Sequence, residues 1–168
     1  MTQYVSTQID GGVATITMLR EDVHNAFDDV MIAQLISAFD GAIANDDARV
    51  IVLRSTGKNF SAGADLNWMR SMAKKNYQEN LDDAGELANL MKTIAQSPKP
   101  TMALVQGAAF GGAVGLVACC DIAVATERAS FCLSEVKIGL IPAVISPYVV
   151  AAMGQRQAQR YFLTAERF

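Results

Sequence analysis

The sequence predicts a layered α/β fold built as one domain. Short runs rich in β-branched residues alternate along the chain with stretches of helical periodicity, and no linker or shift in composition divides residues 1–168. The chain has 168 residues, of which 51% are hydrophobic and 18% charged, so it can bury a sizeable core. These observations predict a set of strands covered by helices.

The first elements are a hairpin and a helix. Residues 4–9 and 13–18 alternate polar and apolar side chains around a Gly-Gly pair, which is typical of antiparallel strands with one solvated face. Asp28 and Asp29 can then cap a helix that runs to about Asn45, because apolar residues recur there at near-helical spacing.

The middle of the chain repeats the order of strand and helix. A β-branched run at 50–53 predicts a buried strand, and the loop at 55–63 that follows is rich in Gly and Ser. An amphipathic helix is expected over 77–96, ended by two prolines, and a second buried strand over 102–105.

The last third continues this alternation. A tight connection of small residues at 107–112 leads into an apolar helix at 113–120. Two strands are then predicted at 122–125 and 130–133, and two further helices at 146–153 and 155–163. The repeated order again favours an α/β architecture.

Composition excludes several classes of function. The net charge is −3 and the basic residues are scattered, which disfavours binding to nucleic acid or to an anionic membrane. The apolar runs are short, so neither export nor membrane spanning is indicated. The three cysteines make no CxxC pair, and with no secretory signal they predict reduced thiols in a cytoplasmic protein.

The single histidine, His24, limits the possible chemistry further. It excludes a multi-histidine metal site, so no metal is predicted. A Ser-His or Cys-His nucleophile would depend on this one loop residue. Chemistry in this chain must therefore use carboxylates and backbone groups.

Two loops of small residues are candidates for a site. Residues 60–66 follow the first buried strand, and on their own they are best interpreted as a turn at Gly63 and a helix cap at Asp65. Residues 107–112 follow the second buried strand and lack the GxGxxG spacing of a dinucleotide site, so close helix packing is their ordinary interpretation. Two such loops after neighbouring strands can place two N–H donors on one developing oxyanion.

Glu135 is the third candidate. It lies in a segment otherwise fit for burial, whose apolar residues are Phe131, Leu133, Val136, Ile138 and Leu140. Such a carboxylate either caps local backbone amides or acts as a partly desolvated general acid and base with a raised pKa. The residues alone leave both interpretations open.

Several stretches resemble the crotonase superfamily of enoyl-CoA hydratases and isomerases, in order and spacing: VHNA at 23–26, FSAGADL at 60–66, QGAAFGG at 106–112, CDI at 120–122 and SEVKIGLIP at 134–142. The resemblance implies a superhelix of repeated β-β-α units. It also implies that the amides of Ala64 and Gly112 form an oxyanion hole and that Glu135 moves protons. The implied coenzyme A contacts are Val23, Ala26, Ala62, Asp65, Leu66 and Asn67.

One residue departs from the two-glutamate hydratases. They carry a glutamate three residues beyond the second oxyanion glycine, where this chain has Gly115. The pattern also occurs in isomerases with one catalytic glutamate, so the alternatives are an enoyl-CoA Δ3-Δ2 isomerase and a non-catalytic acyl-CoA-binding homologue. The runs at 67–70, 107–116 and 134–147 favour hydration, since they look like the branch that hydrates 3-methylglutaconyl-CoA or isohexenylglutaconyl-CoA in leucine and terpene catabolism.

The resemblance also predicts the partners. Coenzyme A enters as part of an acyl-CoA substrate, and no separate cofactor is expected. Family members continue past the equivalent of Phe168 with helices that pack subunits into trimers or dimers of trimers. We therefore expect residues 1–168 to be a single core domain truncated at its C-terminus, with the C-terminal helical part absent.

Overall fold

The computed structural model describes residues 2–168 and shows an α/β fold, which confirms the predicted class. The strands are β1 (Val5–Asp10), β2 (Val13–Met18), β3 (Val50–Ser55), β4 (Thr101–Val105), β5 (Ala108–Phe110), β6 (Ile122–Ala125) and β7 (Ser130–Cys132). The helices are α1 (Asp29–Ala44), α2 (Leu66–Met72), α3 (Tyr77–Ala95), α4 (Gly112–Cys119), α5 (Ser146–Met153) and α6 (Gln155–Thr164). Short 3₁₀ turns lie at Glu21–Val23 and Glu135–Ile138.

The main sheet has five strands in the order β1-β2-β3-β4-β6. The hairpin pair is antiparallel, and every later pair in this sheet is parallel, with Ile16 opposite Leu53. Because side chains alternate along a strand, Ala14, Ile16 and Met18 all face inward and are fully buried. The parallel order brings the carboxyl ends of β3 and β4 to the same edge of the sheet, where both candidate loops begin.

Helix α1 covers the inner face of this sheet. Of the two predicted caps, Asp28 accepts a hydrogen bond of 2.9 Å from the N–H of Met31, and Asp29 is the first residue of the helix. One stripe of the helix is buried, and its residues are Met31, Ile32, Leu35, Phe39 and Ala42. Helix α3 begins with a capping box between Asn76 and Glu79. None of the helices within residues 2–168 is long and apolar enough to cross a membrane.

The tight connection predicted at 107–112 is wrong in one respect, because it contains strand β5. This strand pairs in parallel with β7 in a separate two-stranded sheet, and Ala109 also forms an isolated bridge with Ser61. A three-residue strand of Ala and Phe has too few β-branched residues to be recognised by composition. Its pairing with Ser61 joins the second candidate loop to the first.

The order of elements follows a β-β-α repeat. Strands β1 and β2 precede α1, and β4 and β5 precede α4. In the unit that begins with β3, isolated bridges at Ser61 and Ala64 stand in place of a second strand. The candidate loops therefore occupy equivalent places in successive units.

Candidate active site

The two candidate loops touch. The N–H of Phe110 donates a 3.1 Å hydrogen bond to the carbonyl of Ser61. A Cβ atom on Gly63 would lie 2.5 Å from the carbonyl oxygen of Phe110 and 3.5 Å from the amide nitrogen of Gly112. Gly63 has a φ of 87°, so both its conformation and its surroundings require glycine. The structure thus brings the two candidate loops together.

The amides of Ala64 and Gly112 have no acceptor among residues 2–168. Ala64 bridges to Phe27, but this pairing uses the carbonyl of Gly63 and the N–H of Asp65 on either side of it. Gly112 is the first residue of α4, so no helical carbonyl lies within reach of its N–H. Both N–H groups are therefore free to donate to a ligand.

A buried polar network fixes the loop that carries Ala64. The Ser61 hydroxyl donates to the carbonyl of Asn25 at 2.8 Å and accepts from the N–H of Gly63 at 3.1 Å. Asn25 is fully buried with a φ of 53°, and its amide donates to the carbonyls of Thr56 and Asn59. Sequence reasoning missed this network. The only available signal was an asparagine, which tolerates positive φ, beside a histidine in a short apolar segment.

Arg20 joins the starts of two helices. Its guanidinium pairs with the Asp28 carboxylate at 3.0 Å and with the Asp65 carboxylate at 3.1 Å, and donates to the carbonyl of Ala26 at 2.7 Å. Burial alone would raise the pKa of Asp65, but hydrogen bonds from the amides of Asn67 and Trp68 and the charge of Arg20 hold it below its ordinary value. The side chain of Asp65, predicted to contact coenzyme A, is therefore already engaged within the protein.

The two segments predicted to hold coenzyme A lie side by side. The N–H of Ala62 donates to the carbonyl of His24 at 2.9 Å. Ala26 is buried, with its carbonyl bound by Arg20. The remaining predicted contacts are exposed to solvent, and these are Val23, Ala62, Leu66 and Asn67. Their proximity is compatible with one binding surface, and their role stays a prediction.

The carboxylate of Glu135 lies beside the second loop. A Cβ atom on Gly111 would be 3.4 Å from its Oε1, and Gly111 immediately precedes the free amide of Gly112. Its Oε2 is buried without a hydrogen-bond partner among residues 2–168. Burial raises the pKa of this carboxyl above its ordinary value. Of the two interpretations that the sequence left open, the geometry favours the desolvated acid and base.

The burial predicted for the whole segment around Glu135 is wrong. Leu133 is buried and Phe131 partly buried, but the residues that follow Glu135 are exposed: Val136, Ile138, Leu140 and Ile141. The segment turns through the 3₁₀ helix at Glu135–Ile138, in which no residue is buried. Ile141 is 79% exposed, so the segment that follows Glu135 presents apolar side chains at the surface of residues 2–168.

The position of the missing second glutamate is filled by neighbouring side chains. A Cβ atom on Gly115 would lie 2.2 Å from Cγ2 and 2.7 Å from Cβ of Ile145, and 3.3 Å from Cε of Met91. Both neighbours are fully or almost fully buried. A side chain at 115 therefore requires Ile145 to move, and the local packing explains why glycine stands there.

Two of the three cysteines, Cys119 and Cys120, are unsuited to nucleophilic chemistry. Burial raises the pKa values of Cys119 and Cys120 to about 12, so both thiols are protonated at neutral pH. The ring of His24 contacts the side-chain amide of Asn59 at 3.3 Å. Within residues 2–168 no three His, Cys, Asp or Glu side chains are grouped for a metal ion.

Comparison with known proteins identifies relatives of the chain. The family model described as enoyl-CoA hydratase/isomerase matches residues 8–168. The crystal structure of an enoyl-CoA hydratase from Shewanella pealeana superposes with a TM-score of 0.97 at 61% identity, covering 99% of this chain and 63% of that one. A Legionella pneumophila protein provisionally named enoyl-CoA hydratase/isomerase (crotonase) gives a TM-score of 0.96 at 55% identity, covering 98% of this chain and 64% of that one.

A curated relative extends the comparison. An enoyl-CoA hydratase of Alternaria alternata is 36% identical over 156 residues, which is 93% of this chain and 50% of the relative. The chain thus spans about half of that protein and under two thirds of the two structures. The superpositions confirm the predicted crotonase-like fold.

Proposed function

The chain belongs to the enoyl-CoA hydratase/isomerase family, and we propose that its protein adds water across the 2,3 double bond of an enoyl-CoA thioester. One observation carries the proposal. Two unpaired amides, of Ala64 and Gly112, lie on touching loops, and the carboxylate of Glu135 lies beside the second loop. Relatives named enoyl-CoA hydratase support it.

The two amides act on the thioester carbonyl. When water adds to C3, electrons move through the double bond onto the thioester oxygen, which becomes an enolate. N–H groups of Ala64 and Gly112 that point at this oxygen stabilise the enolate more than the neutral thioester, because its charge is larger. Loss of one such donor typically lowers the rate by about 10²–10³-fold.

Glu135 moves the protons. Its carboxylate accepts a proton from the attacking water as the C3–O bond forms, and the resulting acid then donates a proton to C2 as the enolate collapses. A pKa raised by burial suits both steps, because the group must be a base in one and an acid in the other. With Gly115 at the other family position, one carboxylate performs both transfers.

The substrate we propose is 3-methylglutaconyl-CoA or the related isohexenylglutaconyl-CoA. This choice rests on the sequence of the runs at 67–70, 107–116 and 134–147. Incubation of the full-length protein with a panel of enoyl-CoA thioesters, read by mass spectrometry for a gain of water, tests it. Faster hydration of an unbranched enoyl-CoA would contradict the assignment.

Replacement of Glu135 tests the mechanism. We expect Glu135→Gln to bind acyl-CoA but to lose orders of magnitude in turnover, since the amide cannot accept the proton. The matched control is Glu127→Gln, which removes an exposed carboxylate and should hydrate normally. Near-normal hydration by Glu135→Gln would remove this residue from the mechanism.

The second candidate is a Δ3-Δ2 isomerase, which Gly115 favours because isomerisation needs only one carboxylate. Glu135 would take a proton from C2 of a 3-enoyl-CoA and return it to C4. Conjugated product without 3-hydroxyacyl-CoA would identify this reaction. A binding protein without activity would instead hold acyl-CoA and exchange no α-protons with heavy water.

Two further expectations belong to the same proposal. We expect the protein to be cytoplasmic, since its three cysteines are free thiols and the cytoplasm is reducing. Assembly of the full-length protein into trimers or dimers of trimers is expected from the family resemblance. Light scattering on that protein would test the assembly.

A further inference from the structure

We propose that Phe27 is a positioning residue that sets the separation between the amides of Ala64 and Gly112. The inference rests on the proposed function of these two amides. Phe27 contacts both loops that carry these amides. It reaches no substrate itself, because its side chain is only 1% exposed.

The backbone of Phe27 holds the first donor. Its N–H donates to the carbonyl of Gly63 at 2.9 Å, and its carbonyl accepts from the N–H of Asp65 at 2.9 Å. These two hydrogen bonds lie on either side of Ala64 and fix the peptide plane that carries its amide. A shift of the Phe27 backbone therefore moves the Ala64 donor with it.

The ring of Phe27 supports the second donor. A Cβ atom on Gly112 would lie 2.6 Å from the ring carbon Cζ and 3.4 Å from Cε2. The tip of the ring thus presses against the first residue of α4, at the place where the free amide begins the helix. A side chain at position 112 would therefore require the ring of Phe27 to move.

Arg20 restrains the segment that carries Phe27. It binds the carbonyl of Ala26 at 2.7 Å and the carboxylate of Asp28 at 3.0 Å, which are the residues on either side of Phe27. Its second nitrogen binds Asp65. Because these contacts restrain the segment that carries Phe27, a change in the size of the ring is transmitted towards Gly112.

The expected effect is on turnover rather than on binding. Donors aimed at an enolate stabilise the transition state, so a small error in their separation lowers kcat and leaves KM nearly unchanged. We expect Phe27→Leu, which withdraws the ring, and Phe27→Tyr, which adds a hydroxyl at Cζ towards Gly112, each to lower kcat by about 10–100-fold. A smaller and a larger side chain at position 27 should therefore both lower kcat.

The test is carbonyl infrared spectroscopy of bound butyryl-CoA labelled with ¹³C at the thioester carbonyl, using the full-length protein. Hydrogen bonds from the two amides polarise the carbonyl and lower its stretching frequency. We expect the Phe27 variants to reduce this shift when saturated with ligand. The matched control is Phe39→Leu, which removes a fully buried ring from α1 and should retain the shift.

Each outcome decides the question. An equal shift in the wild type, Phe27→Leu and Phe39→Leu would overturn the inference. If Phe27→Leu does not fold, Phe27→Tyr decides, and an unchanged shift there overturns it as well. No shift in the wild type itself would refute the proposed oxyanion hole instead, so the two failures are distinguishable.

Discussion

Substitution of Gly115 by alanine should destabilise the protein, although alanine is the better helix former. Replacing a mid-helix glycine by alanine gains about 1 kcal/mol in the free energy of unfolding. A methyl group at 115 would lie 2.2 Å from Cγ2 of buried Ile145, and overpacking of this kind costs about 1–3 kcal/mol. The Cβ of Ile145 is also within 2.7 Å, so rotation of its side chain cannot relieve the clash.

We therefore take an overpacking cost near the upper limit of this range. After the gain from helix propensity is subtracted, the free energy of unfolding falls by about 2 kcal/mol. For a protein of this size, that corresponds to a fall in Tm of about 4–8 °C. The assay is thermal unfolding followed by circular dichroism. The matched control is Gly85→Ala in α3, where a Cβ atom meets nothing within 4 Å, and it should raise Tm by about 2–4 °C.

The reasoning would be refuted if Gly115→Ala raised Tm as Gly85→Ala does. A second check is the double variant Gly115→Ala/Ile145→Ala. It should be less destabilised than the sum of the single variants, because the alanine at 115 fills part of the space that Ile145 vacates. Strict additivity would show that the two residues do not compete for space.

Three further predictions concern stability and reactivity. Burial raises the folded-state pKa of Glu135, so ionisation of this carboxyl opposes folding as the pH rises above its ordinary pKa of 4.5. Glu135→Gln should therefore unfold at a higher Tm than the wild type at pH 7. In a pH series of thermal melts, this difference in Tm should shrink below pH 4.5. Ser61→Ala leaves the buried N–H of Gly63 without its acceptor, which should cost about 1–3 kcal/mol in urea unfolding, and an unchanged midpoint would contradict this. Cys119 and Cys120, with pKa values of about 12, should react with a thiol-specific reagent at pH 8 only after unfolding.

Much of the fold was predictable because its signals are local. The alternation in β1 and β2 and the cap at Asp28 each follow from a few neighbouring residues. Strand β5 was missed since its two alanines and one phenylalanine are too few to show a period, and it exists only through its partners. Sequence patterns cannot report such long-range pairing.

The candidate site divides in the same way. The glycine loops and Glu135 were recognised from residue type and spacing. The ion pairs of Arg20 and the hydrogen bonds of Asn25 were not recognised, because each set joins residues more than 30 positions apart. The exposure of Ile141 was also unexpected, since hydrophobicity alone indicates burial and says nothing about which element provides the cover.

The tightly packed glycines limit the positions at which this protein can be mutated to change its substrate preference. At four positions in or beside the two loops a single added carbon would lie within 2.6 Å of another atom, and these are Gly63, Gly107, Gly112 and Gly115. Random mutagenesis there should yield mostly inactive clones. Libraries that seek new acyl preferences are better aimed at Ile138 and Ile141, whose side chains are exposed within residues 2–168 and follow Glu135 in the chain.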